Sequence, residues 1–150
     1  MNTTYNTIIS DIKNFFDHHL QVNLFVDMQY YDFNAGGQNL YPATILVPQL
    51  SNINASQINL NFNLFFSDLL NSDRSNTREV YSDMLDVARD FVSYFQTYDD
   101  DREWCIADDA TVQPFEEQFD DAIVAGWVLN FTVEVGFSKN ICDIPLNELT

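Results

Sequence analysis

The most constraining feature of this sequence is a strict two-residue alternation between apolar and carboxamide side chains. It runs from Gln57 to Phe66, and Ile58, Leu60, Phe62 and Leu64 alternate there with Gln57, Asn59, Asn61 and Asn63. Successive side chains of a β-strand point to opposite faces of the sheet. The segment therefore predicts a strand with one apolar face and one carboxamide face. That polar face is either solvated or in contact with a neighbouring subunit.

A second alternation occurs near the end of the chain. Trp127, Leu129, Phe131, Val133 and Val135 alternate with Val128, Asn130, Thr132 and Glu134. Gly126 comes just before this segment and suits a tight turn or a bulge at its start. Two strands that each have one polar face are typical of a sheet that is covered on one side only.

The first helix is predicted near the start of the chain. Its apolar positions recur with the three- and four-residue spacing of a helix face, and they are Ile8, Ile9, Ile12, Phe15, Phe16 and His19. Either Thr3 or Thr4 can supply the N-cap. The adjacent His18 and His19 are predicted to mark the helix end, where an imidazolium suits the helix dipole.

The second predicted helix has the stronger pattern. Asn76 lies three residues before Glu79, which is the spacing of a capping box. One apolar stripe follows, made of Val80, Met84, Val87, Phe91 and Phe95. Such a stripe is typical of core packing rather than of a cofactor site.

The remaining pattern completes an α+β domain. A strand is expected from Leu24 through Met28 and Tyr30 toward Phe33, then a turn at residues 34–37, and a strand from Tyr41 to Val47. Short strands are expected around Cys105 and Val112. The economical arrangement is a single domain over residues 1–150, with two helices packed on one face of a largely antiparallel sheet.

The charge balance limits the partners. The chain has 23 acids and six bases, a formal net charge of −17. Such a charge repels nucleic acid phosphates and anionic membranes, so broad nucleic acid binding is excluded. Ten of the acids lie between residues 99 and 121: Asp99, Asp100, Asp101, Glu103, Asp108, Asp109, Glu116, Glu117, Asp120 and Asp121.

The sequence also indicates where the protein resides. The first residues lack the basic and continuous apolar parts of a signal peptide. No apolar stretch approaches the roughly 20 residues that cross a bilayer. Cys105 and Cys142 are too few to form a disulfide framework and are expected to be reduced thiols. A protein that is made and kept in a cytoplasm, without a membrane partner, is therefore expected.

No pattern of residues indicates catalysis or a cofactor. The run from Asp99 to Glu103 is the best cation candidate, but Trp104 and Ala110 stand where a calcium loop needs Gly and Glu. His18 and His19 are adjacent, so they face different directions on a helix and do not readily bind one metal ion. No serine lies in a nucleophile motif. The chain is therefore predicted not to be an enzyme, and no cofactor is expected.

Several motifs resemble those of small structural proteins of tailed phages. They are Phe65-Phe66-Ser67-Asp68, Asp73-Arg74-Ser75-Asn76, the run Glu79–Leu85, Phe115 with Phe119-Asp120-Asp121, Ala125-Gly126-Trp127 and Cys142-Asp143-Ile144-Pro145. The resemblance covers about residues 40–145 and is to tail-terminator and tail-completion proteins of phages that infect Bacteroidetes, including crAss-like phages. It implies a small tail-terminator-like α+β fold that assembles into a ring at the head–tail junction or tail end.

This resemblance implies a virion protein made in the host cytoplasm, whose homo-oligomeric ring contacts other tail or connector proteins. DNA would pass through without specific binding, because an acidic lining repels phosphates. The lumen candidates are Asp99, Asp100, Asp101, Glu103, Asp108 and Asp109. The subunit-interface candidates are Asn59, Asn61, Asn63, Arg74 and Arg78. Loops 34–40 and 67–76 would reach adjacent rings.

Other interpretations of the sequence stay open. The main alternative is an acidic DNA mimic that inhibits a DNA-binding enzyme, although the bunching of acids in one segment counts against phosphate-like spacing. An enzyme with an unrecognised site and an unassigned binding module are the others. The arginines allow two interpretations as well. Arg74, Arg78 and Arg89 pair either with acids of an adjoining copy or with Asp73, Glu79 and Asp86 of the same chain.

Overall fold

A computed structural model of the protein describes residues 3–27, 40–97, 102–118, 122–137 and 144–147. The described helices are α1 (Tyr5–His18) and α2 (Thr77–Gln96). The described strands are β1 (Leu24–Val26), β2 (Ala43–Pro48), β3 (Asn52–Ile53), β4 (Gln57–Leu70), β5 (Trp104–Ile106), β6 (Thr111–Gln118) and β7 (Ile123–Gly136). The expected strand residues Met28, Tyr30 and Phe33 and the turn at 34–37 lie outside the described residues.

Two long antiparallel strands form the centre of the sheet. β4 and β7 are 14 residues each and pair along their whole length, from Gln57 opposite Gly136 to Leu70 opposite Ile123. The other edge of β4 is shared by β2 and β3. The other edge of β7 is shared by β6 and β5. β1 lies beside β2 in the single parallel pairing among the described strands. The predictions of an α+β fold and of a largely antiparallel sheet are confirmed.

The first helix begins at a threonine cap, as its sequence predicts. The Thr4 side chain accepts a hydrogen bond from the Thr7 backbone N–H at 3.1 Å. This bond satisfies one of the orphan donors of the first turn. Ile8, Ile12 and Phe16 are buried along one face, and the helix ends at His18.

The start of the second helix differs from the predicted capping box. Asn76 makes no side-chain capping bond. Its carboxamide instead accepts a hydrogen bond from the Asn71 backbone N–H at 2.7 Å and donates one to the Leu69 carbonyl at 3.2 Å. Both ends of the carboxamide therefore close the turn between β4 and α2. The prediction was wrong because the spacing to Glu79 does not show which backbone groups lie within reach.

The apolar faces of both helices, of β4 and of β7 belong to one core cluster, whereas Ala43, Ile45 and Val47 of β2 form a second one. The Phe91 ring of α2 lies at its centre. The centroids of Phe16, Phe66 and Phe131 are 5.5, 6.3 and 5.2 Å from that of Phe91, so α1, β4, β7 and α2 meet there. The predicted stripe of α2 is buried, as its spacing requires. The packing of both helices on one face, and the likeness to a tail-terminator fold, stay predictions.

Two boundaries near the middle of the sheet were predicted wrongly. β4 continues to Leu70, four residues beyond the predicted strand end at Phe66, and the loop before α2 begins at Asn71, where the sequence predicts a loop over residues 71–75. Gly126 lies inside β7, opposite Ser67 of β4 and Phe115 of β6, and not in a turn before the strand. A Cβ atom on Gly126 would lie 1.7 Å from the Phe66 carbonyl oxygen. The glycine therefore allows two strands to approach closely, a role that a single-strand pattern does not show.

Candidate functional site

The predicted carboxamide residues lie on one face of β4, because strand side chains alternate. Gln57 joins them into a network, donating to Asn59 and, at 2.9 Å, to the Glu134 carboxylate on β7. Asn59 donates to Asn52 of β3 at 2.9 Å. We call Gln57, Asn59, Asn61 and Asn63 the carboxamide face; all four side chains are partly buried. Much of their hydrogen bonding is therefore satisfied by neighbouring strands of the same chain.

The remaining two members differ in how their polar atoms are satisfied. Asn63 accepts a hydrogen bond from Asn130 of β7 at 3.0 Å. The Asn61 Oδ1 atom is buried and has no hydrogen-bond partner among the described residues. A buried acceptor without a donor costs free energy. Asn61 is therefore the member of this face whose side-chain oxygen is buried without a donor among the described residues.

The acids of the 99–121 segment form an acidic edge along the outer side of β7. Glu103 precedes β5, Asp108 and Asp109 connect β5 to β6, and Glu116 and Glu117 lie on β6; all five are exposed. The edge runs from the position opposite Val124 to that opposite Val135, about 37 Å for eleven strand residues. Three predicted lumen residues, Glu103, Asp108 and Asp109, are thus brought together. Asp99, Asp100 and Asp101, and also Asp120 and Asp121, lie outside the described residues.

The other edge of the sheet, formed by β1, β2 and β3, has almost no charge. Residues 33–67 contain none of the 23 acids or six bases of the chain. They include β2, β3 and β4 as far as Ser67, and β1 is also uncharged. Charge is therefore segregated across the sheet, with an uncharged side at β1, β2 and β3 and an acidic edge at β5 and β6. The uncharged run is visible in the sequence, but its placement opposite the acids follows only from the strand order.

The arginines predicted at the interface lie at the end of the sheet far from the carboxamide face. Arg74 lies in the turn after β4, with a left-handed φ of 58°. Nine residues separate Asn61 from Leu70, which is about 30 Å of strand. Arg74 Nε is 3.4 Å from Glu116 Oε2, so it pairs within the chain, although not with any of the three acids predicted. Arg78 is exposed, and its role at an interface stays a prediction.

The other arginine of this group pairs along its own helix. Arg89 lies 3.0 Å from Asp86, one of the predicted intrachain partners. An exposed pair of this kind contributes at most about 1 kcal/mol. Arg89 therefore remains accessible on the surface of α2 for a role in binding.

The residues considered for chemistry are separate in the fold. His18 bonds to the Asn14 carbonyl at 2.9 Å, and His19 lies 3.0 Å from an Asp90 carboxylate oxygen on α2. Cys105 is half-buried, and Cys142 lies outside the described residues. Within the described ranges, no group of three or more His, Cys, Asp or Glu side chains is arranged to hold a metal ion. None of the helices described is long and apolar enough to span a bilayer.

One acid of the central sheet is placed unfavourably. Burial raises the pKa of Asp68, and the negative charge of Asp83 on α2 raises it further. The hydrogen bond from the Leu69 backbone N–H lowers this pKa, but the net shift is upward. A folded-state pKa above the unfolded one stabilises the fold at low pH, and this contribution is lost as the pH rises through the folded pKa. The Asp68 carboxylate therefore destabilises the fold at neutral pH.

We expect Asp68→Asn to raise the melting temperature at pH 7, because an asparagine keeps the acceptor for Leu69 N–H without the charge. The gain should shrink as the pH falls from 7 toward 4, as measured by thermal unfolding with circular dichroism. Asp109→Asn, at an exposed acid, is the control and should change the melting temperature less. A gain that grows toward low pH would contradict the sign of the shift.

No family model matches the chain, and no curated protein is significantly similar to it.

Proposed function

We propose that this protein is a structural subunit of a phage virion, where copies form a ring at the head–tail junction or the tail end. The observation that carries the proposal is the segregation of charge across the sheet. Five exposed acids follow the β5 and β6 edge, whereas residues 33–67 are uncharged. In the proposed ring, the acidic edge faces a central channel and the uncharged side faces other subunits.

The acidic edge suits a channel through which DNA moves without being held. Carboxylates repel phosphates, and no counterions are released on contact, so the usual source of nonspecific DNA affinity is missing. Screening confines this repulsion to about 8 Å at physiological salt. Only acids that line the channel closely would therefore act on the DNA.

The uncharged side suits contact between copies. Two chains that each have a net charge of −17 repel one another. They can approach closely where charges are absent. A ring is built from heterologous contacts, in which one surface meets a different surface of the next copy. The carboxamide face offers one such surface, and the region of Arg74 and Arg78 at the far end of the sheet offers a second.

The test combines cryo-electron microscopy of the purified protein at several concentrations with a DNA retention assay. We expect closed rings with a hole wide enough for a DNA duplex and with the acidic edge inside. Rings of the double variant Asp109→Lys/Glu117→Lys should retain duplex DNA at low salt, whereas wild-type rings should not. The reason is that two reversed charges convert part of the lining from repulsion to attraction.

Glu79→Lys/Asp83→Lys is the matched control, because it makes the same charge change at exposed acids of α2, away from the acidic edge. Rings of the control should retain much less DNA than rings of the test variant. Equal retention by both variants would show that net charge alone governs DNA binding. Rings with the acidic edge outside would contradict the proposed channel.

A second function has one observation in its favour. The five described acids are spread along about 37 Å of strand, which is closer to a row of phosphates than their bunching in sequence suggests. This favours an acidic DNA mimic that inhibits a DNA-binding enzyme. A chain that stays monomeric, and that retains a DNA-processing enzyme which free duplex DNA elutes, would support this alternative. Loss of that retention in Asp109→Lys/Glu117→Lys would assign it to the acidic edge.

A further inference from the structure

A short segment, which we call the arm, lies along β4 on the uncharged side of the sheet. We define the arm as residues 49–56, which connect β2 to β4 and include β3. The Gln49 N–H donates to the Asn61 carbonyl at 2.7 Å, and the Asn61 N–H donates to Ser51 Oγ at 2.9 Å. The Asn54 N–H donates to the Gln57 carbonyl at 2.9 Å. The arm is therefore fixed to β4 by hydrogen bonds along its length.

The arm holds two large apolar side chains in water. Leu50 is 95% exposed and Ile53 is 72% exposed. Single exposed apolar residues are common, but two on one rigid arm make a local apolar patch. Because the backbone is already ordered, little further conformational entropy is lost when this patch binds a partner.

An apolar groove lies elsewhere on the molecule, between α2 and the strands of the acidic edge. α2 is joined to this edge at two places. The Tyr81 hydroxyl donates to the Phe115 carbonyl at 3.2 Å, and Gln96 Nε2 donates to the Ala107 carbonyl at 3.2 Å. Between these two bonds, about 22 Å apart along the helix, the surfaces separate.

Of the ten residues that line the groove, four are polar or charged and six are aliphatic: Leu85, Ala88 and Val92 of α2, Ala110 and Val112 at the start of β6, and Leu129 of β7. Leu85 and Val112 are 40% and 43% exposed at its rim. Its volume is about 270 Å³. An apolar cavity of about 150 Å³ holds a benzene ring, so this groove has room for two aliphatic side chains.

We propose that the groove of one copy binds the arm of a second copy, with Leu50 and Ile53 as the inserted side chains. This inference rests on the proposed function, since it names the contact that joins subunits. Arm and groove are different surfaces of one chain, so the contact is heterologous and leaves a free arm and a free groove at the two ends. Repeated contacts of this kind close into a ring when the rotation between copies allows it.

The charges favour a second copy as the occupant. The arm belongs to the uncharged run 33–67, so it is a part of this chain that another strongly acidic copy does not repel. The groove contains Arg89 and Asp108, one base and one acid, and adds no net charge. An apolar contact between like-charged copies should strengthen as salt screens their repulsion, whereas a contact made of ion pairs should weaken.

The experiment measures association of the full chain by sedimentation velocity, from physiological salt to about 1 M NaCl, where the screening length falls to about 3 Å. The arm variant is Leu50→Ser/Ile53→Ser, and the groove variant is Leu85→Gln/Val112→Thr. Both keep the net charge and change exposed side chains. We expect wild-type association to strengthen with salt, and each variant alone to associate at least about tenfold more weakly, from the loss of two buried aliphatic contacts.

Mixing the two variants tests the geometry. The arm variant keeps an intact groove and the groove variant keeps an intact arm, so an equimolar mixture should form a one-to-one heterodimer and stop there. Leu20→Ser/Leu40→Ser changes two exposed leucines outside the arm and groove and should associate like the wild type. Circular dichroism checks that every variant is folded.

The outcomes separate this contact from the proposed ring. Rings that form equally well with the arm and groove variants would overturn the contact and leave the ring standing. Open filaments that depend on arm and groove would support the contact and contradict the ring. A wild-type chain that stays monomeric throughout would overturn the contact and favour the DNA-mimic function.

Discussion

Gly126→Ala is expected to destabilise the fold strongly. The added Cβ would lie 1.7 Å from the Phe66 carbonyl oxygen and 2.8 Å from its carbon, and both are backbone atoms of β4. β4 and β7 pair over 14 residues, so neither strand can shift locally without breaking its neighbours' hydrogen bonds. We expect a loss of more than about 3 kcal/mol in the free energy of unfolding, a large part of the 5–15 kcal/mol typical of a domain.

Thermal unfolding by circular dichroism measures this effect, and a loss of that size corresponds to a fall of roughly 10 °C in the melting temperature. Gly136→Ala is the matched control. It lies at the exposed end of β7, and the nearest atom to its added Cβ is the Ser56 carbonyl oxygen at 3.9 Å. The control should stay within about 0.5 kcal/mol of the wild type. A soluble Gly126→Ala protein with a wild-type melting temperature would show that the two strands can separate at this point.

Arg102→Met is expected to destabilise the protein by about 3 kcal/mol, through loss of charge-assisted hydrogen bonds and cation–π contacts. The Arg102 guanidinium donates to the Tyr94, Phe95 and Thr97 carbonyls at the end of α2, and its Nε donates to the Trp104 carbonyl. Its centre lies 5.0–5.6 Å from the ring centroids of Tyr94, Phe95 and Trp104. No base lies in the last turn of α2, so Arg102 supplies positive charge where the helix carbonyls are unpaired.

Two further variants distinguish the contribution of the Arg102 charge to stability from that of the guanidinium geometry. Arg102→Lys keeps the charge but has no planar fork for several carbonyls, so it should recover only part of the loss. Arg89→Met removes an exposed arginine of the same helix and should cost about 0.5 kcal/mol or less. Urea unfolding gives the free energies. Equal effects of Arg102→Met and Arg89→Met would mean that Arg102 does not cap the helix.

No local pattern in the sequence indicates this role for Arg102, because the residue lies in an acidic stretch that is typical of a solvated loop. Its partners are carbonyls five to eight residues earlier in the chain and the ring of Trp104. Asn76 shows the same limit, since its spacing to Glu79 fits a capping box but its carboxamide bonds to Asn71 and Leu69. In both cases the residue type suggests what it can bind, and only the local geometry decides which groups are in reach.

The candidate surfaces could likewise be predicted from the sequence only in part. The alternation from Gln57 onward identified the carboxamide face, because a period of two fixes side-chain direction within one strand. The sequence could not show that Asn130 bonds to Asn63, since this contact crosses 67 residues. It identified the acidic segment but not the acidic edge, because β5 and β6 must first pair with β7. The groove was not foreseen, since its lining comes from three separate elements.

The features that could be predicted from the sequence alone are local ones. Periods of two and of three to four residues set the helices, the two long strands, their polar faces and hence the α+β class, because backbone geometry fixes where successive side chains point. The tertiary structure decided which strands are neighbours, and so the close approach at Gly126, the pairing of Arg74 with Glu116 and the separation of acidic from uncharged sides. These depend on contacts between residues far apart in the chain, and no local period encodes them.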